Sequence, residues 1–80
     1  MNEKIGADTS ADAVREGLQR NNLPVVWLIS QLEKRGIDTN SDEMSKIFRG
    51  KRNGAKVDKI VAESLLIIAK YEYIFAADVS

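Results

Sequence analysis

The sequence predicts an all-α protein, a compact bundle of four, or five, helices. Three observations carry this. Apolar residues recur three and four apart in several stretches, while apolar–polar alternation is sustained nowhere, so the strand period is missing. The β-branched residues fall on those helical spacings. The 80 residues, 44% hydrophobic and 30% charged, have a globular composition and room for one core. One domain is expected over residues 9–76, between flexible ends at 1–8 and 77–80.

The first helix is expected from about Ser10 to Asn21. Thr9 and Asp12 match an N-terminal capping pattern, and Ala11, Val14 and Leu18 form a short apolar stripe. Gly17 weakens this helix by about 1 kcal/mol relative to Ala. The second helix opens with Pro24 at its first position, where a missing N–H costs nothing. Val25, Leu28, Ile29 and Leu32 share one face. Lys34 and Arg35 suit the negative end of the helix dipole, and Gly36 is a ready C-terminal cap. Trp27 lies off this stripe and is expected to pack against the first or the last helix.

The run Ile37-Asp38-Thr39-Asn40-Ser41 is rich in turn and cap residues. Asn40 or Ser41 is expected to cap a third helix ending near Arg49. Met44, Ile47 and Phe48 point inward, leaving Asp42, Glu43, Ser45, Lys46 and Arg49 outward. Gly50 ends the helix and opens a loop to Ala55. The last helix is expected from about Ala55 to Ile74. Its main stripe runs from Val57 through Ile60, Val61, Ser64, Ile68 and Tyr71 to Phe75, and Leu65, Leu66 and Ile67 widen it nearly all round. A helix apolar on every side needs cover on every side, from the first helix or from a partner subunit.

Charge is neutral in total, with 12 basic and 12 acidic residues, but it is unevenly placed. Lys46, Arg49, Lys51, Arg52, Lys56 and Lys59 face Asp58 alone within residues 46–59, a local charge of +5. The remainder of the chain is acidic. A neutral protein with one basic turn still offers an anion a docking site, and Gly50 and Gly54 let backbone approach a partner there.

The chemistry of catalysis is poorly supplied. With no Cys and no His there is no disulfide, no thiolate or imidazole metal site and no Ser-His-Asp triad. Asp42 and Glu43 are adjacent and diverge on a helix, so they read as dipole partners rather than as an acid–base pair. Gly50 to Gly54 is too short for a phosphate-binding loop, and the run from Asp38 to Glu43 lacks calcium-loop spacing. The expectation is a non-enzyme with no cofactor, no metal and no small-molecule substrate. The start lacks the apolar stretch of a signal peptide and no apolar run approaches a membrane span, so a cytoplasmic protein without membrane contact is expected.

Binding is better supplied. The second helix, a turn, the third helix and the basic loop make a helix-turn-helix pattern. In that motif the second of the two helices enters the major groove while flanking basic groups and amides hold phosphates. The run Glu43-Met44-Ser45-Lys46-Ile47-Phe48-Arg49-Gly50-Lys51-Arg52-Asn53 resembles the end of the recognition helix and the following loop of lambda-repressor-like, Cro-type helix-turn-helix proteins. Ile67-Ile68-Ala69-Lys70 resembles a later helix segment of that family, and Trp27-Leu28-Ile29 with the Gly-Lys turn resembles small DNA-binding proteins of phages and mobile elements in Gram-positive bacteria. The resemblance covers roughly residues 24–72.

What the resemblance implies is a sequence-specific transcriptional regulator, repressor-like, with double-stranded DNA as its partner. Carried onto this chain, it makes Ser41, Asp42 and Lys46 base contacts. Asn40 would cap the helix and touch phosphate, with Arg49, Lys51, Arg52 and Lys56 also on the backbone. Ile47 and Gly50 would be structural. Two features depart from the family's pattern: the connection before the third helix is long, and Asp42 and Glu43 make its leading edge acidic. The alternative is a protein-interaction module, an antirepressor or accessory factor that docks another regulator through the last helix. Leu66, Ile67, Tyr73 and Ile74 are the candidate surface for that contact or for a homodimer.

Overall fold

In the computed structural model the backbone is described for residues 3–51 and 53–79, and side chains for residues 11–51 and 53–74. The fold is all-α, four helices in the order α1 (Glu3–Arg20), α2 (Val25–Lys34), α3 (Ser41–Phe48) and α4 (Ala55–Val79), with no strand among the described residues. Both α4 and α3 pack against α1 and α2. The core between them is built from Val14 and Leu18 of α1, Leu28 and Leu32 of α2, Met44 and Ile47 of α3, and Ile60, Ile67 and Ile68 of α4, with Ile37 added from a connection. These positions are the helical stripes of the sequence, so the burial of one face drives each helix to form.

The outer helices are longer than expected. α1 begins at Glu3 rather than near Ser10, and α4 continues to Val79 rather than stopping near Ile74. The helical spans thus reach into both stretches set apart as chain ends; Met1, Asn2 and Ser80 lie outside the described residues. Helical backbone runs straight through Thr9, so the capping pattern there is not a cap. Asp12 instead pairs with Arg15, one turn on, at 3.1 Å. Pro24 is the cap residue of α2, in extended backbone, and the helix begins one position later.

Three connections are closed in the same way. At the end of α1 the Leu23 N–H donates to the Leu18 carbonyl (2.8 Å) and the Asn22 N–H to Gln19 (3.1 Å). After α2 the Ile37 N–H donates to Leu32 and the Gly36 N–H to Glu33, both at 3.0 Å. After α3 the Lys51 N–H donates to Lys46 (2.9 Å) and the Gly50 N–H to Ile47 (3.0 Å). Each is a Schellman closure, which needs a left-handed residue at its turn. Gly36 (φ +82°) and Gly50 (φ +74°) take that conformation without a Cβ penalty, and Asn22 (φ +56°) is the one non-glycine residue among those described to do so. Leu23 and Ile37, just past two of these reversals, turn back onto the core.

Polar contacts fasten each of the other helices to α4. Glu72 accepts from Arg20 Nε (2.9 Å) and Asn21 Nδ2 (2.6 Å), tying down the end of α1. The Asn21 amide first, then the Arg20 guanidinium, hold the Glu72 carboxyl below the usual glutamate range. Arg35, at the end of α2, pairs with Glu63 at 2.9 Å. Lys56 pairs with Glu43 of α3 at 3.3 Å.

Candidate nucleic-acid interface

The third helix has eight residues and depends on its ends and its neighbours. Asn40 caps it: its side chain accepts from the Glu43 N–H at 2.8 Å. Asp42 and Glu43 occupy the first turn, where negative charge is favourable. Met44 and Ile47 are buried and Phe48 packs at the core's edge, as the spacing predicts. Ser41, Asp42 and Arg49 are left exposed, and Ser45 and Lys46 are half-buried. Asp42, Ser45, Lys46 and Arg49 stand three and four apart, so they form one outward strip.

Glu43 does not join that strip. Expected to point outward, it is only 8% exposed. It lies one turn before Ile47 and shares that residue's inward face. Burial of its carboxylate is matched by partners: Oε1 accepts from Thr39 Oγ1 at 2.7 Å and pairs with Lys56 Nζ at 3.3 Å. The i, i+4 relation to Ile47 is the one sign of this in the sequence. Lys56, a candidate phosphate contact, is thereby held at the N-terminal end of α3.

The candidate base contacts are also partly engaged with each other. Lys46 Nζ lies 3.2 Å from Asp42 Oδ2, across one helical turn. Ser41 is exposed beside them, and Asn40 combines its cap with an exposed position. Arg49 and Lys51 flank Gly50 at the reversal, both exposed and without an ion pair among the described residues. Arg52 lies outside the described residues. The +5 of this segment is therefore smaller as seen from outside, since Lys46 and Lys56 each face a carboxylate. Six residues, Arg35 to Asn40, join α2 to α3, against three or four in a common helix-turn-helix connection.

The candidate contact surface on the last helix divides. Leu66, Tyr73 and Ile74 are 59%, 76% and 56% exposed. Ile67 is not part of that surface: it is 5% exposed and belongs to the core. The reason is phase. Ile60, Ser64, Ile67 and Ile68 stand four, seven and eight positions along one stripe, and Leu66 is turned about 100° from Ile67. Trp27 packs against this helix, edge to face with Tyr71 at a centroid distance of 5.5 Å.

Among the described residues there is no group of three or more His, Cys, Asp or Glu placed to hold a metal ion. No helix is long and apolar enough, over those residues, to cross a membrane. What the α3 strip and its turn can do is present paired donor and acceptor groups beside exposed cations. No family model matches the chain, and no curated protein or solved structure matches it.

Proposed function

We propose that this protein binds double-stranded DNA as a small transcriptional regulator of the lambda-repressor-like, phage or mobile-element type. In this reading α3 enters the major groove with Ser41, Asp42 and Lys46 at base edges. Asn40, Arg49, Lys51, Arg52 and Lys56 lie along the phosphates. One observation carries the reading. A short capped helix, pinned by Met44 and Ile47, turns a polar strip outward and is followed at once by a tight reversal bearing exposed Arg49 and Lys51. Groove-reading helices need that combination of rigid support, free polar face and adjacent cations.

The test is duplex DNA titrated with protein at several salt concentrations. Binding should weaken linearly on a log–log plot, and Lys51→Ala should flatten the slope by about 1. Asp42→Ala should change which sequences are preferred. No binding to any duplex at low salt defeats the reading.

The exposure of Leu66, Tyr73 and Ile74 supports a second reading, in which the chain docks another protein through α4.

A further inference from the structure

The chain holds five asparagines, and Asn53 is the one that precedes a glycine. An asparagine side-chain amide is open to attack by the backbone nitrogen of the following residue, which closes a five-membered ring. A Cβ on that following residue crowds the attack, and glycine has none.

In the structure the reacting groups are also free. Asn53 and Gly54 are both exposed, in the connection between α3 and α4. Among the described residues neither the Asn53 side-chain amide nor the Gly54 N–H has a hydrogen-bond partner. The other described asparagines are held. Asn21 donates to Glu72 and to the Gly17 carbonyl, and Asn40 accepts from the Glu43 N–H. The nitrogen that follows Asn22 is committed, since the Leu23 N–H donates to Leu18 at 2.8 Å. Gly54 has nothing within 4 Å of the place a Cβ would take, and its φ is +122°. Its carbonyl accepts from the Asp58 N–H at 3.0 Å, a bond into α4. Rotation of the Asn53–Gly54 peptide toward the side chain is absorbed at Gly54, so that bond can stay in place. Charge favours the reaction as well. Arg49 and Lys51 stand just before, exposed and without an ion pair among the described residues. Cations close by favour the deprotonated nitrogen and the oxyanion of ring closure.

We propose that Asn53 is a self-modification site, converted through a succinimide into aspartate and isoaspartate, which makes the α3–α4 turn less cationic. The Gly54 nitrogen gives its proton to hydroxide and bonds to Asn53 Cγ. The Cγ–Nδ2 bond breaks and ammonia leaves. Water then opens the ring. Attack at Cγ yields aspartate. Attack at the main-chain carbonyl carbon yields isoaspartate, whose backbone runs through Cβ and is one atom longer. Nothing is oxidised or reduced. Either product adds one carboxylate to a segment whose local charge is +5. The modification needs no ligand. Its effect on DNA does rest on the proposed function: a carboxylate beside Lys51 repels phosphate.

The test is the full-length protein aged in mildly alkaline buffer and digested at intervals. Mass spectrometry should show the Asn53 peptide gaining one mass unit, with isoaspartate the larger product, while Asn21, Asn22 and Asn40 persist. The rate should come within tenfold of that of a free peptide spanning residues 49–57. Asn53→Gln, whose ring would need six members, should stay unmodified and keep the wild-type circular dichroism. A slower rate in the folded chain, or conversion at Asn53 no faster than at the other asparagines, overturns the proposal. Asn53→Asp, titrated with duplex at fixed salt, should bind several-fold more weakly than wild type. Equal binding removes the charge effect. If neither protein binds duplex, the DNA reading falls, while the mass shift still decides the modification.

Discussion

Gly17 sits where α1 meets α4. A methyl group added there would lie 3.0 Å from Cγ2 and 3.2 Å from Cδ1 of Ile68. The sequence shows only a glycine weakening a helix; the structure makes it the point of close helix–helix approach. Two effects then compete in Gly17→Ala. Helix propensity favours the variant by about 1 kcal/mol, while overpacking costs roughly 1–3 kcal/mol. Cγ2 is fixed by the β-branch of a buried residue and cannot swing away, so packing wins. Urea denaturation should show Gly17→Ala destabilised by about 1 kcal/mol, with part of that recovered in the double variant with Ile68→Val, which removes the Cδ1 methyl. Ser64 is the opposite case. It is fully buried in the α4 stripe and its hydroxyl has no hydrogen-bond partner among the described residues. Removing a buried, unsatisfied hydroxyl should help, so Ser64→Ala should raise stability by about 1 kcal/mol in the same assay.

At the scale of elements, the reversals and the contacts onto α4 carry the architecture. Gly36 and Gly50 each hold a left-handed turn with open space around the missing Cβ. Ala at either position should cost about 1 kcal/mol through backbone strain alone, measured as a shift in denaturation midpoint. The Glu72 clamp makes a different prediction. Its carboxyl binds a proton more weakly in the folded chain than in the unfolded one, because Asn21 and Arg20 hold the charged form. That contribution is complete above the ordinary glutamate value of 4.5 and is lost as pH falls through the lower folded value. Glu72→Gln should therefore flatten the fall in stability below about pH 4.5 and bring wild type and variant together at the acid end. The helices themselves were legible because Leu28/Leu32, Met44/Ile47 and Ile60/Ile67/Ile68 keep helical spacing. Their outer limits were not, since Thr9-x-x-Asp12 imitates a cap and nothing local marks Glu3 or Val79 as an end. Partners distant in sequence, such as Glu72 with Asn21 or Glu43 with Lys56, leave no trace in periodicity.

As a whole, the molecule is organised around α4, whose 25 residues make a helix about 37 Å long in a molecule whose longest extent is 40 Å. The candidate interface is less legible than the fold. Its helix, cap and basic turn were readable from Asn40, Ser41 and the Gly50-Lys51 pair. The mutual pairing of Asp42 with Lys46 and the inward turn of Glu43 were not, because a charged residue is ordinarily exposed and only partners such as Lys56 let Glu43 be buried. At this scale the pairing bears on the proposed DNA contact, in which Lys46 would exchange Asp42 for a base or phosphate. Asp42→Asn should then strengthen binding to arbitrary duplexes, read as a higher non-specific affinity at fixed salt. The three Schellman reversals also bear on the order of events in folding. Each is closed by bonds reaching back three and five residues, so α1, α2 and α3 can be set in direction by contacts near in sequence. Such local geometry forms quickly. The meeting of α1 with α4, as at Gly17 and Ile68 about fifty positions apart, closes a far larger loop and carries a greater entropic cost. Docking of the first helix on the last is therefore the step expected to limit the folding rate, and stopped-flow refolding of Gly17→Ala should be slower than that of the wild type.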